Sequence, residues 1–472
     1  MRSAGLILIS LFLFTTLQQL NAEEHPKYHL SAGAEEPSIE NTRTSPCISA
    51  TEYSLIESRS AQSRRALNLS DVPLSGLGNS ITTLSWPLRA ASALTDCSYY
   101  HISAYVDQNT ASGATQDYNC GTNTYDGHRG TDISIWPFNF YKMDNDLVEV
   151  IAAAPGIIID KNDGEYDRNC AASTMTANYV LIQHADGSHA LYWHMKNGSI
   201  LTKAIGQSVA EGEKLGIVGS SGSSSGPHLH FEIWSGSTVS TRIDPYAGSC
   251  NSLNANSWWT NQKPYKETGI LKASVHTTDA VFPGCPITET SNESTSFQVP
   301  FQGAGLPAGY AKFYVFLRNE IVGLTATMTI LNPNGSTFNT WTYTTANEAK
   351  VRAWSWSKVL PTNPGLYTFQ TTYNGITCSS NFSITSSTGI SSFNHNSDLK
   401  VYSNTYSGKI IFKTERSLIK EIELYDLLGA KIYGSDFSEQ IIEINPTLPG
   451  GVYFYRLRDA DRHEYSGKII FQ

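Results

Sequence analysis

Charge is scarce in this chain of 472 residues: Asp, Glu, Lys and Arg make up 16% of it, against roughly 25% in an average soluble protein. The charge present leans acidic, with 33 Lys plus Arg against 42 Asp plus Glu and a net −9. A basic footprint for nucleic acid is therefore excluded, and no Lys/Arg-rich helix points to a membrane surface. None of the seven cysteines forms a C-x-x-C pair, which removes a thiolate zinc site and a redox motif. Beyond residue 22 no segment approaches the roughly eighteen apolar residues of a membrane span, and no repeat of solenoid period is apparent.

Hydrophobic residues are plentiful at 40%, too many for a mainly disordered chain. With 25 Tyr, 36 Gly and many Ser, Thr and Asn, the composition predicts an all-β extracellular protein. Its length suggests about three domains. Residues 1–22 read as a signal peptide: Arg2, the apolar run Leu6–Phe14, and Leu20-Asn21-Ala22 as a cleavage site. Export makes disulfides plausible. Cys120–Cys170 and Cys285–Cys378 are the pairings expected, although spacing alone fixes no connectivity, and an odd count leaves one thiol unpaired.

Residues 23–84 are polar and aperiodic, a pro-segment or disordered leader that contains Arg64-Arg65. From 85 to 268 the chain becomes compact and Gly-punctuated. Val148–Lys161 reads as strand, Pro-Gly turn, strand, and Asn178–Met195 as a hairpin around Asp186-Gly187. Residues 269–388 predict an immunoglobulin-like β-sandwich. In it Trp341, Trp354 and Trp356 are read as core packing in preference to a binding surface. Residues 389–398 predict a linker, and 399–472 a last small β-sandwich.

Seven of the 12 histidines lie between His101 and His230, and clustered imidazole is the first pointer to a transition metal such as zinc. In PHLHFEIW, period-two alternation puts His228, His230, Glu232 and Trp234 on one strand face, with Leu229, Phe231 and Ile233 on the other. In ALYWHM the same alternation groups Ala190, Tyr192 and His194, so the hairpin can deliver a third imidazole. Tyr192 is read as packing that could also assist. His128 and Asp132 in GHRGTD lie between turn-forming glycines. His184 and His189 are read as solvated hairpin residues and His101 as core or surface. Glu232 is either an orienting partner of a ligand or an ordinary strand residue.

GHRGTD, YWHM and GSSGSSSGPHLHFE, in that order, resemble the signature blocks of the lysostaphin-type (LytM-like) zinc metallopeptidases, over about residues 85–250. The resemblance implies His128, Asp132 and His230 as ligands of one zinc ion, and His194 and His228 as the catalytic pair. Two neutral imidazoles and one carboxylate leave the site at +2 − 1 = +1, with a fourth position open for water. No obvious glutamate base accompanies them, so His228 is assigned as base and His194 as oxyanion stabiliser or proton donor, with exchange of the two left open. LKVYSN, IKEIELYDLLGAKIYG, LPGGVYFYRL and GKIIFQ are similar to the C-terminal sorting domain of the type IX secretion system, though both prolines usual in its first block are absent. That likeness implies export through the periplasm of a Gram-negative bacterium, to the cell surface or the medium.

The expectation is thus a secreted zinc metalloendopeptidase cutting peptidoglycan cross-links. Its partners would be peptidoglycan or a glycine-rich peptide, and the type IX machinery, with no nucleic acid and no stable transmembrane segment. Two alternatives stay open: cleavage of glycine-rich proteins, or a non-catalytic cell-wall-binding or activator module on the same fold. Latency is a further expectation, with the segment before Ser85 covering the groove until it is cut, for instance near Arg64-Arg65.

Overall fold

Short apolar runs broken by Gly, Pro, Ser and Asn leave little room for helix, and the computed structural model is built almost wholly of strands. It describes residues 46–69, 82–280, 289, 291–386, 399–404, 409–415, 417–446, 448–449 and 451–471. The expected signal peptide, the linker and Cys285 lie outside the described residues. Among those described, no helix is long and apolar enough to cross a membrane.

The sheet that carries the histidines runs, in spatial order, His101–Ala104, Thr131–Ser134, His228–Trp234, His189–Trp193, Tyr179–Gln183, Gly156–Asn162 and Ser208–Val209, with Arg242–Ile243 paired to 228–234. All these pairings are antiparallel. The hairpin expected around Asp186-Gly187 is present. Val148–Lys161 does give two strands, but they part company: Val148–Ile151 joins Leu88–Ala90 and Lys214–Ile217 in a separate sheet. One face of the large sheet buries Ile133, Val180, Ile182, Tyr192, Leu229, Phe231 and Ile233.

The leader is not without structure. Residues Ala50–Ala66 form helix α1, capped by Ser49 and Glu52 in a reciprocal capping box. Its buried face is Tyr53, Ile56, Ser60 and Arg64. Half of that face is polar, so no apolar stripe betrays the helix in the sequence. Arg64-Arg65 occupies its last turn.

In the following region, Gly269–His276, Tyr310–Glu320 and Ala349–Val359 form one sheet. Ser296–Val299, Ile376–Ser386, Gly365–Tyr373, Thr325–Leu331 and Thr337–Thr344 form the other. Phe313, Val315, Met328, Trp354 and Phe369 fill the space between them, with Trp341 and Trp356 packed at the margin. Residues up to Ser386 cluster as one compact unit and 387–472 as another. Trp136 and Phe138 share a core with Leu271, Tyr314 and Phe316. A disulfide joins Cys97 to Cys378. This corrects the expected Cys285–Cys378 pairing, and Cys120 pairs with Cys250 instead of Cys170. Folding brings positions 281 and 130 residues apart into bonding range, a proximity that sequence spacing does not encode.

Within the C-terminal unit, Leu399–Asn404, Lys409–Thr414 and Ile441–Ile444 form a three-stranded sheet. Lys431–Glu439, Ile419–Tyr425, Gly451–Asp459 and Glu464–Phe471 form a four-stranded one. They bury Ile410, Phe412, Ile422, Leu424 and Leu457.

Candidate metal centre

His230 and Asp132 stand directly opposite each other on adjacent antiparallel strands, as do His228 and Ser134. Side chains opposite each other share a face of the sheet, so the pairing delivers the Asp132 carboxylate to His230: Oδ1 lies 2.7 Å from Nδ1. His128 precedes that strand in a turn where Gly127 has a φ of 72°. Its Nε2 lies 3.2 Å from Asp132 Oδ1 and 3.1 Å from His230 Nδ1. The three groups are buried, and their donor atoms all lie within 4.8 Å of one another.

Hydrogen bonds behind the rings decide which nitrogen faces inward. His128 directs Nδ1 to the Tyr105 carbonyl at 2.6 Å, so Nε2 faces the cluster. His230 is turned the other way: Nε2 donates to Glu232 Oε1 at 2.8 Å and Nδ1 faces the cluster. Glu232 is held in turn by Trp234 Nε1 at 2.7 Å and by the Tyr53 hydroxyl. Glu232 therefore fixes the His230 ring and is not an ordinary strand-surface residue. Two imidazoles and a carboxylate, with both rings anchored from behind, are the donor set that suits a catalytic zinc ion. Burial opposes charge on Asp132, yet the surrounding His128, His228 and His230 hold its carboxyl well below the usual range. Burial likewise opposes charge on His230, but neighbouring Cys47 and Asp132 raise it well above the usual imidazole range.

His194 and His228 face each other beside this cluster, their ring centroids 4.5 Å apart. His228 Nε2 lies 3.7 Å from Asp132 Oδ1. Both rings are tethered through Nδ1 to carbonyls of the glycine-serine loop, His194 to Ser221 at 2.6 Å and His228 to Gly226 at 2.8 Å. Gly219, which opens that loop, cannot carry a side chain: a Cβ there would meet Lys196 N at 2.4 Å. All five residues singled out in the sequence thus come together.

The face shared by Tyr192 and His194 needs correcting. Strand alternation ends at Trp193, and His194 takes a left-handed φ of 69°, which turns its ring to the metal side. Tyr192 points into the opposite core against Phe231, and its hydroxyl accepts from Ala153 N at 2.7 Å. His184 and His189 are not solvated either. His184 Nδ1 donates to the Pro155 carbonyl at 2.8 Å, and His189 is stacked with Trp234. Both are buried, as is His101.

Three contributors escaped the sequence. Tyr125 stacks on His128 and donates to Asp132 Oδ2 at 3.2 Å. Tyr53 comes from α1. Cys47 places Sγ 3.3 Å from His230 Nδ1. No spacing rule links residues 47 and 53 to a strand some 180 positions away; the odd cysteine count was the one available hint.

Residues 127–245 match the family described as Peptidase family M23. Among curated relatives, the chain is 42% identical over 66 residues to an uncharacterized metalloprotease of Buchnera aphidicola, covering 14% of this chain and 17% of that protein. It is 49% identical over 55 residues to the DD-carboxypeptidase/endopeptidase Mpg of Neisseria meningitidis, covering 12% of each. It is also 43% identical over 56 residues to the peptidoglycan DD-endopeptidase ShyA of Vibrio cholerae, again 12% of each. The chain thus spans less than a fifth of the length of these relatives. The catalytic domain of lysostaphin from Staphylococcus simulans is a solved neighbour at 25% identity, covering 25% of this chain and 76% of that one. Its TM-score is 0.19. The family match takes in His128, Asp132, His194, His228 and His230.

Proposed function

We propose that residues 85–268 form a zinc metalloendopeptidase domain that hydrolyses peptide bonds in peptidoglycan cross-links. The observation that carries this reading is the convergence of one carboxylate and four imidazoles from three separate segments, each imidazole ring fixed by a bond on its far side. His128, Asp132 and His230 would hold the metal. A bound zinc ion would supply Lewis acidity toward the scissile carbonyl and the attacking water. His228, tethered through Nδ1, accepts the water proton at Nε2. His194, tethered in the same way, bonds the developing oxyanion, and His228 passes the proton it accepted to the leaving amine. The peptidoglycan substrate is supported by the relatives named for that activity. The same reading takes 1–22 as the export signal, 269–388 as an accessory sandwich, and 399–472 as a type IX sorting module that sends the enzyme to the cell surface or beyond.

The test is digestion of defined cell walls by the purified protein, with released fragments identified by mass spectrometry and metal counted in parallel. Digestion is expected to stop on chelation. His230→Ala should lose both metal and activity, whereas His228→Ala should keep most of the metal and be inactive. Normal digestion by either variant would overturn the assignment.

A further inference from the structure

Cys47 is the thiol left outside the cross-links among the described residues, and it is buried. A buried free cysteine ordinarily serves as a small hydrophobic filler. This one has its sulfur 3.3 Å from His230 Nδ1, the nitrogen that also faces Asp132 Oδ1 at 2.7 Å and His128 Nε2 at 3.1 Å. Ligand atoms of one tetrahedral zinc ion sit roughly 3.3–3.7 Å apart, given bonds of about 2.0–2.3 Å. The sulfur therefore stands at the distance of a fellow ligand from His230 Nδ1, the atom on which His128 and Asp132 also converge.

A docked element holds it there. The capping box at Ser49 starts α1 two residues later. Tyr53 on its first turns donates to Glu232, the carboxylate that fixes the His230 ring, and lies under the Arg129 guanidinium, 4.8 Å from its ring centroid. Further along, Glu57 accepts from Val239 N at 2.9 Å and Arg59 pairs with Asp160 at 3.0 Å. Cys47, Ile48, Tyr53 and Ile56 share a core with Tyr179, Leu181, Leu191, Trp193 and Trp234 of the sheet. The histidine-bearing face is thus roofed by the segment that carries the thiol.

We propose that Cys47 is the fourth ligand of the metal held by His128, Asp132 and His230, and that residues 46–66 keep the peptidase latent through this bond. The inference rests on the metallopeptidase reading. A catalytic zinc site needs three protein ligands and one open position; a thiolate in that position excludes water. Thiolate is also a strong zinc donor, and it brings the site from +1 to +2 − 1 − 1 = 0. On binding, the thiol gives up its proton to solvent. On activation, Sγ leaves, takes a proton back, and a water molecule enters in its place. Withdrawal of α1 removes the thiol, so undocking or cleavage of this segment is the activating event.

The experiment uses the full chain loaded with cobalt(II). Sulfur bound to cobalt gives a charge-transfer absorption in the near ultraviolet. Wild-type protein is expected to show it, and Cys47→Ala to lose it while keeping its cobalt. Cys47→Ala should also digest cell walls without a lag, where wild type shows one. Cobalt bound by the wild type with no sulfur absorption would overturn the cysteine bond and leave the peptidase reading standing. Failure of wild type and Cys47→Ala alike to bind cobalt would overturn both. Should the alanine variant not fold, the wild-type spectrum decides by itself, with Cys47→Ser as the second variant.

Discussion

Gly130 shapes the candidate metal centre as firmly as any of the three donors does. A Cβ there would meet the Phe231 carbonyl at 2.7 Å and His230 Cε1 and Nε2 at 2.8 Å, so only glycine lets the 131–134 strand close upon His230. Gly130→Ala should displace the ring and weaken metal binding about 10- to 100-fold, the range seen when the support of a ligand is lost. Glu232→Gln, which exchanges the carboxylate accepting the His230 Nε2–H for an amide, should weaken it by about as much. Competition against a chromophoric chelator measures both; unchanged affinity in either would show that the ring is fixed by other contacts. The candidate donor types were legible in the sequence because imidazole and carboxylate chemistry is local. The turned ring of His194 was not, because a left-handed φ of 69° breaks the alternation from which its direction was read.

At the scale of elements, charged groups pin the sandwich strand Gly269–His276 to the region before it. Asp96 takes Lys142 at 3.0 Å and Lys272 at 2.5 Å, nearly out of contact with solvent. Burial opposes its charge, but Lys142 and then Lys272 hold its carboxyl below the ordinary value. Asp96→Asn strands the buried Lys142 ammonium and leaves Lys272 only Glu293, at 3.0 Å, and should destabilise the protein by about 3 kcal/mol, read as a fall in Tm. His276, at the end of the same strand, is pushed down to about 3 by burial, with Lys272 adding to the effect. The unfolded chain binds a proton near pH 6.5 that the folded one refuses. Stability is therefore full above pH 6.5 and falls as pH drops from there toward about 3, by at most about 1.4 kcal/mol per pH unit. The depressed Asp96 adds a loss in the same direction, but only as pH falls beneath the usual carboxylate range. Tm should fall between pH 7.5 and 5, and His276→Gln should flatten that slope; an equally steep slope in the variant would assign the effect elsewhere. Strand periodicity announced these elements, whereas α1 stayed hidden because Ser60 and Arg64 occupy half of its buried face.

In the whole molecule, Cys97–Cys378 closes a loop of 281 residues. Constraining so long a loop in the unfolded chain stabilises by about 5 kcal/mol in the entropic account. The double variant Cys97→Ala, Cys378→Ala should therefore unfold at distinctly lower temperature by calorimetry; an unchanged Tm would mean that the packed faces suffice. The sequence by itself determined the all-β class, the hairpin around Asp186-Gly187 and the five histidine and aspartate positions, since period-two patterning, turn chemistry and ligand type act over a few residues. Tertiary structure decided what depends on distant chain segments meeting. That includes the disulfide partners, the burial of His184 and His189, the tautomer set on His230 by Glu232, and the placing of Cys47 beside an imidazole 183 positions away. Such pairings are chosen by the packing of sheet faces and a docked helix, and no local pattern records them.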